Sequence, residues 1–308
     1  MEKGQVIKST GSWYSVKIPD GRIISSRVRG KLKTTTGIRS TNPVAVGDWV
    51  DFEIVEDGTG LIMNLHERKN YIIRKSTNLS KESHIIAANI DRAFLMVTIA
   101  WPQTTTYFID RYLVSAEAYR IPVVLIVNKI DLYNQKQEDQ LEDYLEAYEK
   151  AGYTCIQTSV KENINVEEMK PWFKDNVSLI SGHSGVGKSS LLNAMDPGLN
   201  LKIQELSKTH KTGKHTTTFA EMFPLSFGGY IIDTPGIKAF GLVDIDKEEI
   251  YHFFPEIFSY SKYCKFYNCT HIHEPGCAVR QAADEGNIAE SRYINYLRMM
   301  EEEENKYR

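Results

Sequence analysis

The first 70 residues alternate apolar and polar positions in five short stretches. Each stretch has the period-two pattern of a half-buried strand, and in chain order they read GQVIKS, WYSVKI, RIISSRV, DWVDFEI and GLIMNLH. Turn signals such as PDG and EDGTG separate them. About five strands in this length predict a small barrel of the oligonucleotide/oligosaccharide-binding (OB) type, although an SH3-like barrel would give much the same pattern. The polar and basic segment 31–43 is expected to form a long loop.

From about residue 85 the hydrophobic pattern changes. RAFLMVTIA and PVVLIVNKID are continuous apolar runs, which indicate strands buried on both faces of a parallel sheet. A stretch with helical spacing, TYFIDRYLVSAEAYR, lies between them. The alternation then continues with a helix in EDQLEDYLEAYEKAG, strands in TCIQTS and VSLISG, a helix in KSSLLNAM and a strand in GYIIDTPG. This order predicts a doubly wound α/β domain.

The pattern predicts a multidomain chain with three parts. An all-β OB-fold barrel is expected over residues 1–72 and an α/β domain over 73–242. The remainder, 243–308, is expected to be mostly helical and contains a cysteine cluster followed by the helical pattern AESRYINYLRMMEEEE. A length of 308 residues is ample for two or three domains.

Composition narrows the class of protein. Hydrophobic residues make up 42% and charged residues 25%, the balance of a soluble globular chain. No apolar run approaches the roughly 20 residues of a membrane span, and the N-terminus MEKGQVIKST lacks a signal-peptide core. We therefore expect a cytoplasmic protein without a membrane partner, and a monomer by default.

Charge is uneven along the chain. The formal net charge is −3, yet residues 1–80 hold 13 lysines and arginines against 8 aspartates and glutamates, while Glu301–Glu304 form an acidic run. A basic first domain is compatible with RNA contact. A solvated surface with uneven charge explains it equally well.

The strongest motif is a phosphate loop, in which Gly182, Gly187, Lys188 and Ser189 match G-x-x-x-x-G-K-[ST]. It follows a strand pattern and opens a helix pattern, where backbone N–H groups and the helix N-terminus favour phosphate. Lys188 is expected to bridge the β- and γ-phosphates as a catalytic residue, and Ser189 to ligate Mg²⁺. The predicted nucleotide contacts in this loop are Gly182, His183, Ser184, Gly185, Val186, Gly187, Lys188, Ser189 and Ser190.

A DTPG tetrapeptide, residues 233–236, ends a strand pattern about 45 residues after the phosphate loop. In nucleotide hydrolases such an aspartate holds Mg²⁺ and the glycine N–H senses the γ-phosphate, so Asp233 and Gly236 are predicted contacts. Between the two motifs, the polar segment KTHKTGKHTTTFAE is expected to supply a threonine ligand to Mg²⁺ and to act as a switch. Thr216, Thr217 and Thr218 are all candidates, and we favour Thr217.

The stretch NKID, residues 128–131, follows a buried strand, where α/β sheets bind ligands. The Asp131 carboxylate can accept hydrogen bonds from guanine N1 and N2, which adenine lacks, so the motif favours GTP. Asn128 is expected to hold the site together, with Lys129 along the base and Ile130 between them. About thirty residues later, QTSVK places the backbone N–H groups of Ser159 and Val160 where guanine O6 would lie.

These motifs occur in an unusual order. The guanine-reading motifs come before the phosphate loop, the switch segment and DTPG, whereas GTPase domains usually begin with the phosphate loop. The order predicts a circularly permuted GTPase domain, whose sheet and site are kept because the termini of compact domains lie at the surface. It also connects the segment after Gly236 directly to the C-terminal domain.

Three of the four cysteines are clustered near the C-terminus in the pattern C-x4-C-x-H-x5-C. Three thiolates and one imidazole complete a tetrahedral Zn²⁺ shell with no open position, so a structural site is predicted. Cys155 lies in a strand pattern and is expected to be a core residue. His273 is an alternative to the histidine of the predicted ligand set, which is Cys264, Cys269, His271 and Cys277.

The residue that orients water for hydrolysis is not evident. Ras-like enzymes place a glutamine directly after the DxxG motif, and here that position is Ile237, which cannot orient water. His215, beside the threonine run, is the best local candidate. Slow turnover that a partner accelerates is the expectation.

The barrel, the permuted motifs and the C-x4-C-x-H-x5-C module together closely resemble the bacterial ribosome small subunit-dependent GTPase A family (RsgA, also called YjeQ or YloQ). The resemblance covers essentially the whole chain, through NKID, GHSGVGKSSLLN, GKHTTT, DTPGIKAFGL and the cysteine cluster. It implies a GTPase that binds the small ribosomal subunit and its rRNA late in maturation, hydrolyses GTP there and leaves. It also implies zinc at the cluster, GTP at residues 128–131 and 182–190, and supports His215.

Two other readings stay open on the residues alone. One is a permuted GTPase with a different partner, such as a signalling or membrane protein. The other is a nucleotide-regulated RNA-binding module with little turnover, for which the missing glutamine is the main argument.

Overall fold

The computed structural model describes residues 1–30, 43–75, 83–199, 220–233 and 245–305. Two compact units are interleaved along the chain. The first comprises Met1–Ala93, Glu167–Ile180 and Ser189–Ile237, and the second comprises Phe94–Val166, Ser181–Lys188 and Lys238–Arg308. No helix among the described residues combines the length and the apolar character that crossing a bilayer requires.

The first unit begins with a closed five-stranded barrel. Its strands are β1 (Glu2–Ser9), β2 (Tyr14–Lys17), β3 (Ile23–Val28), β4 (Trp49–Ile54) and β5 (Gly60–Leu65). They pair in the order β1-β2-β3-β5-β4, and β4 returns to β1, which closes the barrel. The β3–β5 pair is parallel, and this closure is that of the five-stranded OB-type barrel. The predicted barrel is confirmed.

Alternation along the strands explains the barrel interior. The inward positions are fully or almost fully buried and apolar, comprising Val6, Tyr14, Val16, Ile18, Val44, Val50, Phe52 and Ile62. At the barrel's edge, a buried ion pair joins Asp48 to Arg68 at 2.6 Å. The predicted loop at 31–43 falls almost wholly outside the described residues.

The same unit continues into the sheet that carries the phosphate-loop strand. A hairpin of β6 (Tyr71–Lys75) and β7 (Ser83–Ala88) follows the barrel, and later come β11 (Val177–Ser181), β12 (Glu221–Pro224) and β13 (Tyr230–Asp233). β11 and β13 are parallel, β12 pairs with β13, and β1 of the barrel pairs with β12 at Lys8↔Glu221. These two side chains also form an ion pair at 2.9 Å. The short helix α3 (Lys170–Phe173) precedes β11, and the helix α4 (Lys188–Met195) follows it.

The second unit holds the strands that lead into the predicted guanine motifs. Its strands are β8 (Arg92–Val97), β9 (Val123–Asn128) and β10 (Thr154–Thr158), in the order β10-β9-β8. Every residue of β9 is buried, as its continuous apolar pattern predicts. Two helices flank these strands in sequence, α1 (Thr106–Ala118) and α2 (Gln135–Lys150), and a capping box of Asn134 and Gln137 begins α2.

The C-terminal segment of the second unit is helical, as predicted. Its elements are a 3-10 helix (Lys247–Phe253), α5 (Pro255–Ser261), α6 (Ala278–Asp284) and α7 (Glu290–Asn305). Their apolar faces share a core that includes Ile250, Phe254, Ile257, Val279, Ile288 and Tyr296. Val114 of α1 belongs to the same core, so this segment packs directly on the helix that follows β8.

A buried ionic cluster joins α7 to α1 and α5. The Arg292 guanidinium donates to Asp110 at 2.6 Å and through two nitrogens to Glu256 at 2.8 and 3.0 Å. Asn295 donates to the other oxygen of Asp110 at 2.6 Å. Burial raises the pKa of Asp110, while Arg292 and Asn295 oppose that rise. The rings of Tyr148, Tyr153 and Phe254 lie around the guanidinium, 4.7–5.5 Å from it.

We expect Arg292→Met to destabilise the fold by about 3–5 kcal/mol, since it leaves two carboxylates buried without their cation. In this variant the cation no longer opposes the rise that burial causes in the pKa of Asp110, so the folded state binds more protons than the unfolded state. The stability deficit should therefore be largest near neutral pH and shrink as the pH falls below about 5.

Denaturant unfolding at several pH values measures this deficit. Lys262→Met, at the exposed C-terminal end of α5, is the matched control, because it also removes a cation and should change stability little. A deficit equal to that of the control would show that the cluster does not hold the helices together.

Candidate nucleotide site and metal centre

The phosphate loop begins where β11 ends and α4 begins, so Lys188, Ser189 and Ser190 form the first helical turn. Gly182 and Gly187 have φ values of +140° and +109°. A Cβ at Gly182 would stand 2.1 Å from the Met96 carbonyl oxygen, and one at Gly187 would stand 2.4 Å from Asn128 Nδ2. Both positions therefore require glycine, for conformation and for space.

The lysine of the loop is held against its own backbone. Lys188 Nζ donates to the carbonyl oxygens of Gly182 and His183, both at 2.8 Å. Ser184 and Gly185 at the tip of the loop are exposed, whereas Val186 is fully buried. An ammonium group beside exposed backbone at a helix N-terminus is an arrangement suited to phosphate.

His183 stacks on α1. Its ring centroid lies 4.0 Å from that of Phe108. Burial, and secondarily the charge of Lys188, lowers the pKa of His183. The imidazole is therefore neutral near pH 7 and adds no charge to the loop.

Asn128 connects β9 to the phosphate loop. Its side chain is almost fully buried, and Nδ2 donates to the Val186 carbonyl oxygen at 2.8 Å. Its Oδ1 accepts a hydrogen bond from Thr158 Oγ1 at 3.1 Å. The backbone oxygen of Asn128 accepts one from Tyr133 Oη at 2.8 Å. The two motifs that are far apart and reversed in sequence thus meet in one unit.

Asp131 is poised to accept further hydrogen bonds. Ser159 Oγ donates to its Oδ1 at 2.5 Å. Among the described residues its buried Oδ2 has no hydrogen-bond partner, and Lys161 Nζ lies 3.9 Å from it. A buried carboxylate oxygen with an unused acceptor is the group that the N1 and N2 donors of guanine require.

The remaining predicted guanine contacts are close to Asp131 or Ser159 in sequence. Lys129 has a left-handed backbone, φ +66°, and Ile130 begins the 3-10 helix Ile130–Leu132. The Ser159 N–H donates to Ile164 O at 3.2 Å, so Ser159 contributes its hydroxyl to Asp131. Val160 follows directly in the turn after β10.

The predicted Mg²⁺ ligands are described only in part. Ser189 is buried in the first turn of α4. Asp233 is the last residue of β13, and its neighbour Ile232 pairs with Leu179 of β11. The side chain of Asp233 lies outside the described residues, as do Thr216, Thr217, Thr218, His215, Gly236 and Ile237.

Sequence reasoning missed several residues that shape this site. Tyr133 Oη bridges Asn128 O and the Ile99 N–H, the latter at 2.9 Å, and Thr158 orients the Asn128 amide. Phe108 supports His183. Nothing in NKIDLY or QTS distinguished these side chains from ordinary core residues.

The four predicted metal ligands converge in the C-terminal segment. One ligand atom from each of Cys264, Cys269, His271 and Cys277 lies within 4.8 Å of the others. His271 Nδ1 is 3.5 Å from Cys264 Sγ and 3.6 Å from Cys277 Sγ, and these two sulfurs are 3.9 Å apart. A tetrahedral zinc shell places sulfur and nitrogen roughly 3.6 Å apart and two sulfurs roughly 3.8 Å apart. The donor set and its spacing fit Zn²⁺.

The backbone around the cluster is fixed by hydrogen bonds. Glu274 accepts from the N–H groups of Thr270, Ile272 and His273, and Tyr293 Oη donates to His271 O at 2.7 Å. The alternative ligand, His273, is exposed and outside the cluster. Cys155 lies apart from the cluster in β10, and burial raises the pKa of its thiol to about 12, which keeps it protonated and unreactive.

Two family profiles match the chain. The RsgA N-terminal domain matches residues 3–62 and the RsgA GTPase matches residues 65–243. Among curated relatives, the small ribosomal subunit biogenesis GTPase RsgA of Phocaeicola vulgatus is 54% identical over 307 residues, 99% of both chains. The protein of the same name from Christiangramia forsetii is 55% identical over 309 residues, 99% of this chain and 98% of its own.

Solved structures agree with these relatives. YjeQ from Thermotoga maritima superposes with a TM-score of 0.79 at 36% identity, covering 98% of each chain. YloQ, described as a circularly permuted GTPase, superposes with a TM-score of 0.77 at 31% identity over 99% of this chain and 96% of its own.

We expect Asp131→Asn to weaken GDP binding by about a hundredfold, because it removes charge-assisted hydrogen bonds to guanine N1 and N2. Binding of xanthosine diphosphate should improve, since an amide can donate to the carbonyl at C2 of xanthine. Titration calorimetry measures the affinities of both variants and the wild type for GDP and for xanthosine diphosphate. Asp143→Asn, at an exposed position of α2, is the control. Unchanged GDP affinity in Asp131→Asn would remove this carboxylate from the site.

We expect the purified chain to carry about one zinc ion and Cys277→Ala to carry none, because three donors do not close a structural site. A chelator should lower the melting temperature of the wild type and leave that of Cys277→Ala unchanged. Cys155→Ala removes a thiol outside the cluster and should keep its zinc. Elemental analysis decides the outcome, and equal zinc in both variants would contradict the assignment.

Proposed function

The chain belongs to the RsgA GTPase family, and on that premise we propose that it hydrolyses GTP in the maturation of the small ribosomal subunit. The observation that carries the proposal is the convergence of Asn128, Asp131 and the phosphate loop. Relatives that match this chain over almost their whole length are named small ribosomal subunit biogenesis GTPases. This favours the ribosomal role over the two other readings.

The guanine end of GTP would be read by the NKID segment. Asp131 Oδ2 accepts from N1 and N2, and the stem of Lys129 lies along the base. The Ser159 N–H already donates to the Ile164 carbonyl oxygen. We therefore infer that the Val160 N–H donates to guanine O6 and that Ser159 orients Asp131. Asn128 and Ile130 hold this segment in place.

The phosphate end would be bound by the loop from Gly182 to Ser190. Its N–H groups surround the phosphates, and Lys188 leaves the carbonyl oxygens of Gly182 and His183 to bridge the β- and γ-phosphates. Withdrawing charge from the leaving phosphate in this way lowers the barrier to attack by water. Ser184, Gly185 and Gly187 supply backbone, while His183 and Val186 anchor the loop.

Ser189, Thr217 and Asp233 would hold Mg²⁺ with the nucleotide, and their hard oxygen donors suit that ion. Mg²⁺ would neutralise charge on the phosphates. The Gly236 N–H would sense the γ-phosphate. Ile237 offers no polar group to orient water, so we assign that role to His215 and expect slow turnover in the absence of the subunit.

The ribosomal reading also assigns the rest of the chain. We propose that the barrel, residues 1–72, and the zinc domain, residues 243–308, flank a GTPase domain of residues 73–242 and that rRNA contacts involve the basic first domain. Zn²⁺ at the cysteine cluster has a structural role, and the protein acts as a cytoplasmic monomer on the subunit.

We expect purified small ribosomal subunits to stimulate GTP hydrolysis strongly and large subunits to leave it unchanged. Lys188→Ala should lower the stimulated rate about a hundredfold or more, because it removes transition-state charge stabilisation. Lys136→Ala, at an exposed position of α2, is the matched control. Phosphate release under multiple-turnover conditions measures all three.

The other readings give different results. Turnover that neither subunit stimulates would favour a different partner. RNA binding that persists without turnover in both wild type and Lys188→Ala would favour the RNA-binding module.

A further inference from the structure

The segment after β8, residues 98–104, contacts the guanine-reading motif. Lys129 Nζ donates to the Trp101 carbonyl oxygen at 2.6 Å. Ile99 N donates to Tyr133 Oη at 2.9 Å, and the same hydroxyl donates to Asn128 O. Lys129 bonds directly to this segment, and Asn128 is connected to it through Tyr133. No nucleotide-binding motif in the sequence includes residues 98–104.

The same segment also borders the phosphate loop. The ring of Pro102 lies 3.6 Å from where a Cβ on Gly185 would stand. Residues 101 and 102 therefore lie beside both the lysine that runs along the base and the exposed tip of the phosphate loop.

The backbone of the segment is closed by its own threonines. Thr98 Oγ1 donates to the Pro102 carbonyl oxygen. The Thr104 N–H donates to the Thr98 carbonyl oxygen. In return, the Thr98 N–H donates to Thr104 Oγ1. Within this closed loop Trp101 has φ +57°, a left-handed conformation that is unfavourable for a bulky side chain. Strain held by surrounding hydrogen bonds is characteristic of functional sites.

Packing against the described residues does not explain this strain, because the Trp101 side chain is largely exposed. Trp101 is 69% exposed, against 43% for Trp13 and 38% for Trp49 in the barrel. A large indole is therefore presented to solvent at the border of the site by a strained and fixed backbone.

We propose that the indole of Trp101 packs against the guanine and ribose of bound GTP or GDP, as an additional wall of the nucleoside site. The inference rests on the proposed function and deepens it. The Trp101 carbonyl fixes the ammonium of Lys129, so the lysine stem and the indole are positioned together. An indole offers the flat apolar surface on which a purine stacks.

The experiment compares GDP affinity by calorimetry in the wild type, Trp101→Ala, Trp101→Phe and the matched control Trp13→Ala. Removing a stacking side chain should weaken GDP binding by about tenfold in Trp101→Ala. Trp101→Phe retains an aromatic face and should stay within about threefold of wild type. Trp13→Ala should bind GDP as the wild type does.

Two further readouts separate stacking from a structural role. Inorganic triphosphate has no base, so its competition for the site should be unchanged in Trp101→Ala. GDP should alter the tryptophan emission of the wild type and of Trp13→Phe, and this change should be lost in Trp101→Phe. The emission test also holds if Trp101→Ala fails to fold.

The outcomes are distinct. Wild-type GDP affinity in a folded Trp101→Ala, with the emission change kept in Trp101→Phe, overturns the inference. Intact GDP affinity with a loss only of subunit-stimulated turnover also overturns it, and makes Trp101 a partner contact. A wild type that does not bind GDP contradicts the proposed function itself.

Discussion

The buried amide of Asn128 is the contact on which the nucleotide site depends. Its nitrogen donates a hydrogen bond to the Val186 carbonyl oxygen, and its oxygen accepts one from the Thr158 hydroxyl. The backbone oxygen of the same residue accepts a hydrogen bond from the Tyr133 hydroxyl. An almost fully buried amide that loses a partner bears the cost of an unsatisfied polar group. These hydrogen bonds therefore fix the distance between the NKID segment and the phosphate loop, the two predicted parts of the nucleotide site. Chain order is irrelevant to this contact, which explains how the site persists although its motifs are reversed.

Period-two alternation was sufficient to locate the five barrel strands but not to identify the barrel. The parallel β3–β5 pair and the return of β4 to β1 define the OB type, and both are long-range pairings that a local pattern cannot encode. Three strands escaped prediction. β6 (YIIRK) and β7 (SHIIAA) place two isoleucines side by side and lack period-two alternation, and β12, EMFP, has only four residues and contains a proline.

The motifs predicted backbone positions better than side-chain partners. Glycines 182 and 187 could be assigned because their spacing in the phosphate loop has one physical explanation. The role of the Ser159 hydroxyl could not be assigned from the sequence. Only the fold shows that its N–H donates to the Ile164 carbonyl oxygen and that its hydroxyl donates to Asp131. The burial of Arg292 could not be predicted for a related reason. A single arginine in a helical pattern indicates a solvated face, and its burial depends on carboxylates contributed by distant segments.

The pairing of Asp110 with Arg292 spans 182 residues, and this has a consequence for synthesis. A ribosome adding about 5–20 residues per second makes the aspartate at least several seconds before its cation exists. During that interval α1 cannot bury the carboxylate of Asp110 at low cost, so α1 reaches its final packing only after α7 has been synthesised. Chains without α7 would carry uncompensated carboxylates at Asp110 and Glu256. The packing of α1 therefore depends on a helix that is synthesised far later in the chain.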